Sequence, residues 1–148
     1  MKVLIGVDDS PHSDAVVDHV TGSVWPKTTK FVVLSATAPI FFGPGEAAAA
    51  DPIGRLLEKQ EEYHREIAEG AAGRLREAGL TAESRMVLGD PRAALLDTAR
   101  SERSDLIIVG SHGRTGIKKL LLGSVASHVL THAPCSVLVV RGGGTHHG

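Results

Sequence analysis

A single cysteine, Cys135, stands among the 148 residues, so no intrachain disulfide can form and a reducing compartment is the simpler setting. Neither sign of charge is in excess. Sixteen Lys and Arg face 17 Asp and Glu, a net charge of -1, which gives no bulk attraction for nucleic acid. No apolar run approaches the roughly 20 residues that a membrane helix needs. The start, Met1-Lys2-Val3-Leu4-Ile5, runs quickly into Asp8-Asp9, too short and too soon acidic for a signal peptide, so a cytosolic address is expected. Internal repeats are absent. So is the phosphate-cradling pattern G-x-x-x-x-G-K-[ST], and the first strand leads into Gly6-Val7-Asp8-Asp9-Ser10 instead of G-x-G-x-x-G. Carboxylates at that turn repel phosphate, but they can accept hydrogen bonds from a ribose or an adenine.

What is present is an alternation of strands and helices in a chain long enough for one domain with a sizeable core. Apolar runs at Val3–Val7, Phe31–Ala36, Leu106–Val109 and Ser136–Val140 read as buried strands. Glu83–Leu88 carries more polar residues and suits an edge. Ser10-Pro11 opens a first helix through Val16, His19 and Val20, closed by Trp25-Pro26. A long amphipathic helix over Asp51–Ala78 has an apolar stripe of Ile53, Leu56, Leu57, Gln60, Ile67, Ala68, Ala71 and Leu75, and stops at Gly79-Leu80. Asp90-Pro91 opens another, and Ser124 caps a last one that Pro134 stops. This order predicts an α/β fold: a single open, doubly wound five-stranded parallel sheet with helices on both faces. Likeness to known open α/β sheets suggests strand order 3-2-1-4-5. A ligand is then expected beyond the strand ends between strands one and four, where the order reverses and Asp8 faces Gly110. Residues 1–141 form the domain, and the Gly-rich end at 142–148, with His146-His147, reads as a flexible tail.

Between strand four and the last helix lies the most informative stretch, Val109-Gly110-Ser111-His112-Gly113-Arg114-Thr115-Gly116 onward to Gly123-Ser124. Strand, Gly-rich loop and helix N-terminus together are an arrangement that holds phosphate through backbone N–H groups. Other chemistry is less well supported. His128 and His132 have helical metal-pair spacing, but Val129 stands where a zinc-protease Glu would be, and no third ligand is evident. Cys135 reads as inert. Ser111-His112 lack an orienting acid. Asp8-Asp9 could hold Mg²⁺ together with phosphates; otherwise Asp9 is solvated and acts on the helix start. Phe41-Phe42 belong either to a crossover connection or to a flap or partner surface.

The glycine spacing Gly110-2x-Gly113-9x-Gly123-Ser124 resembles the ATP-binding signature of the universal stress protein family. Val3–Ser10, Gly89-Asp90-Pro91, Gly110–Gly116, Gly123–Ala126 and Pro134–Val140 resemble its other conserved stretches, so the likeness covers nearly the whole chain. It implies the same fold and strand order and an ATP cofactor. By position, Asp8 would meet the ribose or adenine and Ala36 would line the adenine pocket. Val109 and Gly110 would pack beneath the nucleotide. Gly113, Gly123, Ser124 and Val125 would hold the phosphates, with Arg114 as their neighbour. No catalytic or metal-binding residue is carried over.

Two function classes follow. One is a regulatory stress-response module that binds adenine nucleotide. The other is a slow ATPase or a nucleotide-dependent transferase, for which Asp9 and Lys118-Lys119 are available without being demanded. The last strand adds a partner expectation. It is apolar on both faces yet should be an edge, which points to a homodimer paired through 136–140.

Overall fold

The first strand, β1 (Lys2–Gly6), is the middle of the sheet. Along the chain follow α1 (Pro11–Thr21), β2 (Lys30–Thr37), α2 (Ala50–Glu77), β3 (Thr81–Leu88), α3 (Pro91–Ser101), β4 (Leu106–Gly110), α4 (Ser124–His132) and β5 (Ser136–Val140). The computed structural model describes residues 1–39, 50–112 and 121–142. The expectations for Phe41-Phe42, Gly113, Arg114, Lys118-Lys119 and His146-His147 lie outside the described residues. All pairings are parallel and the order is β3-β2-β1-β4-β5, as expected, with Leu4 opposite both Val32 and Ile107.

β1 and β4 are covered on both faces, which is why they read as unbroken apolar runs. Leu4, Ile5, Ile107 and Ile108 are fully buried, each stabilising the fold by about 1.5–3 kcal/mol relative to exposure. Alternate residues enter two cores. Val3, Ile5 and Ile108 pack with Val16, Val17 and Val20 of α1 and Ala72 and Leu75 of α2. Leu4, Ile107 and Val109 pack with Ala94, Leu95 and Ala99 of α3 and Ala126 and Val129 of α4. Among the described residues no helix is long and apolar enough to cross a membrane.

Several local expectations are corrected. The first helix ends at Gly22 rather than at Trp25. Trp25 instead donates its indole N–H to the Val20 carbonyl (2.8 Å) and seals the helix end. His19 is exposed, and Val17 takes its expected place in the core. On α2 the buried face is His64, Ala68, Ala72 and Leu75. The same row continues back through Gln60 and Leu56, but burial fades toward the helix start and Leu56 is 45% exposed. Gly79 has φ +88°, a left-handed conformation that side chains rarely adopt, and it lets Leu80 N–H reach the Leu75 carbonyl (3.0 Å).

The cap of α3 positions one wall of the site described below. Asp90 accepts from the Arg92 backbone N–H (2.9 Å) and from its guanidinium (2.8 and 3.2 Å). The Arg92 side chain, then its backbone N–H, holds the Asp90 carboxyl below the usual range. A depressed folded-state pKa stabilises above the unfolded value, about 3.9, and that contribution is lost as pH falls through the folded one. Asp90→Ala is therefore expected to cost about 1 kcal/mol at neutral pH. In urea unfolding the gap to the parent protein should close as the pH drops below 4.

Candidate functional site

The turn after β1 is built around one carboxylate oxygen. Asp8 Oδ1 accepts from the Ser10 backbone N–H (2.8 Å) and the Ser13 hydroxyl (2.9 Å), while the Asp8 N–H donates to Ser13 Oγ (2.7 Å). Ser10 occupies the cap position of α1 in an extended conformation, but its side chain makes no cap bond, contrary to the sequence expectation. Asp8 and Ser13 organise that turn instead. α2 clips it from the side: Tyr63 donates to Asp9 Oδ2 (2.9 Å), and the neighbouring His64 shares a buried hydrogen bond with Ser35 of β2 (2.9 Å). Asp9 is thus tied to the α2 tyrosine as well as facing solvent.

A cavity opens beyond the carboxyl ends of β1, β2 and β4, at the place where the strand order reverses. Asp8 stands on one side. Leu34, Ala36, Leu95 and Val109 give it an apolar floor, and Val125 and Ala126 close it from α4. Two glycines set its shape. A side chain at Gly6 would meet the Leu95 methyls at 3.0 and 3.1 Å, so Leu95 can pack tightly beneath the cavity only because Gly6 has none. A side chain at Gly110 would meet His12 Cβ at 3.0 Å, because the first turn of α1 lies over the end of β4.

The far side is polar without being anionic. Ser111 N–H donates to the Val140 carbonyl (2.9 Å), and Gly123 N–H donates to the Ser111 carbonyl (2.7 Å). Gly123, not Ser124, is the cap residue of α4; Ser124 is the first helical residue and is exposed. The N–H groups of a helix's first turn have no intrahelical partner, and a glycine cap offers no side chain to satisfy them. The α4 start therefore presents a positive dipole end, with N–H donors that no cap side chain satisfies, beside Gly123 and Val125, which line the cavity.

Of the nine residues singled out from sequence, Asp8, Ala36, Val109, Gly110, Gly123 and Val125 come together around this one cavity. Ser124 is adjacent but does not line it, and Gly113 and Arg114 lie outside the described residues. Sequence reasoning missed Ser13, Leu95 and His112. Leu95 was legible only as core, which it also is. The carboxylate–hydroxyl pairing at residues 8 and 13 had no sequence signal, because it depends on how the turn folds back onto α1. Elsewhere, Cys135 is half-buried, and burial together with nearby Asp105 pushes its thiol pKa up, which holds it protonated.

Comparison with known proteins gives concordant results. The universal stress protein family model matches residues 1–141. The universal stress protein Sll1388 of Synechocystis sp. is 32% identical over 95% of this chain and 97% of its own. Among solved structures, hypothetical protein MJ0577 superposes with a TM-score of 0.82 at 27% identity, covering 97% of each chain. A universal stress protein in complex with cAMP superposes with a TM-score of 0.64 at 30% identity, covering 95% of this chain and 96% of its own.

Proposed function

The chain belongs to the universal stress protein family, and on that premise we propose that it is a cytoplasmic regulatory module that binds adenine nucleotide, ATP foremost, through residues 1–141. The observation that carries this reading is one cavity with an apolar floor, Asp8 on one side and the donor-rich start of α4 on the other. A purine ring suits the floor of Leu34, Ala36 and Val109. Asp8 suits ribose hydroxyls, since Oδ1 is engaged by Ser10 and Ser13 while Oδ2 is available to a ligand. Phosphates suit the first turn of α4 and the Gly123 backbone. Gly113, Ser124 and Arg114 would complete the phosphate side, as the resemblance to the family's G-2x-G-9x-G-[ST] signature implies. Mg²⁺ would accompany the phosphates rather than occupy a site of its own. A related structure of 30% identity holds cAMP, which supports an adenine nucleotide as the ligand class.

A regulatory role is preferred over hydrolysis because what the cavity walls supply is shape and hydrogen-bond donors, which hold a nucleotide. Ligand binding at the junction of β1, β4 and α4 can shift only states that it binds differentially. A homodimer is part of the same proposal. β5 pairs with β4 on one side, and its Val137, Leu138 and Val139 are only half-buried, which suits pairing with a second copy of this strand.

Native mass spectrometry of freshly purified protein tests both parts. A dimer carrying one adenine nucleotide per chain is expected, and calorimetry on stripped protein should then rank ATP, AMP and cAMP. A monomeric mass with no adenylate bound, and no heat on adding millimolar ATP, would overturn the reading.

A further inference from the structure

Two imidazoles meet beside the cavity. His12 is the second residue of α1, and His112 follows β4 by two residues. Their ring centroids are 5.4 Å apart and the planes are tilted by 49°. His12 Nδ1 and His112 Nε2 are both buried with no hydrogen-bond partner among the described residues. An unsatisfied buried polar atom costs about 1–3 kcal/mol, so each nitrogen calls for a partner, and rings this close allow one species to serve both. The other nitrogen of His112, Nδ1, lies 3.2 Å from Ser111 Oγ. With Nδ1–H donating to that hydroxyl, Nε2 carries the lone pair, and a partner on the second nitrogen is the usual way a metal-binding imidazole is oriented.

We propose that His12 Nδ1 and His112 Nε2 together ligate one divalent transition-metal ion of the Zn²⁺, Co²⁺ or Ni²⁺ class. Two imidazoles sharing a tetrahedral ion through bonds of about 2.0–2.1 Å have ring centroids roughly 5 Å apart, close to the spacing observed. Imidazole nitrogen is a ligand that these ions favour and Mg²⁺ does not. Among the described residues no group of three His, Cys, Asp or Glu could hold a metal, so the ion's remaining positions are filled from outside that set. His112 also lines the cavity, so a phosphate oxygen of a bound nucleotide can fill one of them. That last step rests on the proposed nucleotide site; the ion's two protein ligands do not.

The test is a Co²⁺ titration of chelator-treated full-length protein without nucleotide, followed by its visible absorption. Because His128 and His132 lie with ring centroids 4.5 Å apart on α4, and the tail carries His146 and His147, all four are replaced by alanine in the parent. One equivalent of Co²⁺, displaced by Zn²⁺, is expected. His12→Ala and His112→Ala should each weaken it by about tenfold or more, with circular dichroism confirming the fold. Absence of the equivalent, or indifference to both substitutions, overturns the proposal. So does inorganic phosphate binding that depends on the two histidines while Co²⁺ does not bind. ATP calorimetry in EDTA reads the nucleotide site separately, so either reading can fail alone.

Discussion

Gly110→Ala is expected to lower the thermal midpoint by about 2–12 °C and to weaken adenine-nucleotide binding at the same time. The new methyl would stand 3.0 Å from His12 Cβ and 3.4 Å from the carbonyl oxygens of His12 and His112. None of these is the free end of a flexible side chain, so the first turn of α1 has to move. Overpacking of this kind costs about 1–3 kcal/mol, which for a domain of this size is a shift of about 2–4 °C per kcal/mol. The displaced turn carries Ser13, the partner of Asp8, and so the proposed ribose contact moves with it. Gly6→Ala is the informative comparison. There the methyl would meet mainly the ends of Leu95, which can swing toward the cavity. Binding should suffer more than stability. A Gly110→Ala protein with the parental midpoint and parental affinity, measured by calorimetry in both senses, would defeat this account of the site's geometry.

The second large effect is at Asp8, where two substitutions separate folding from binding. Asp8→Asn keeps an oxygen to accept from the Ser10 N–H and the Ser13 hydroxyl, so the fold is expected to survive with little loss. It removes the charge offered to the ligand, and a hydrogen bond to a charged group is worth about 1.5–3 kcal/mol, so ATP affinity should fall about 10- to 150-fold. Asp8→Ala removes both turn contacts as well, and it should lose about 1–3 kcal/mol of stability in urea besides the affinity. If the asparagine protein binds ATP as the parent does, Asp8 serves only the turn and the ribose contact must be sought elsewhere.

How much of this was legible beforehand depends on which force decided each feature. Strand identity and order were readable because burial on both faces leaves unbroken apolar runs, as in Leu106–Val109, and because helices alternate with them. The cap of α3 was readable because Asp90-Pro91 satisfies a local rule. Where local and tertiary preferences compete, reading by residue type fails. Ser10 is a good capping residue, yet the carboxylate of Asp8 supplies the turn's hydrogen bonds. His19 has the right spacing for a core face, yet Val17 is the residue that faces inward. Gly110 was assigned to close approach of a ligand. It lines the cavity, and it also lies against His12, nearly a hundred positions away along the chain, a contact with no trace in the spacing of glycines.

The bond from Gly123 N–H to the Ser111 carbonyl ties together the two ends of the segment between them. One end is anchored in the sheet through Val140 and the other in α4. The intervening residues therefore begin and finish at fixed points whatever they contain. Closing such a loop costs only about 0.6 kcal/mol more for each doubling of its length. Selection or design can accordingly lengthen, shorten or recompose that segment while leaving the folding free energy of the domain almost untouched. The make-up of that segment and the stability of the fold are in this sense separate variables in the chain, and the Ser111–Gly123 bond marks the boundary between them.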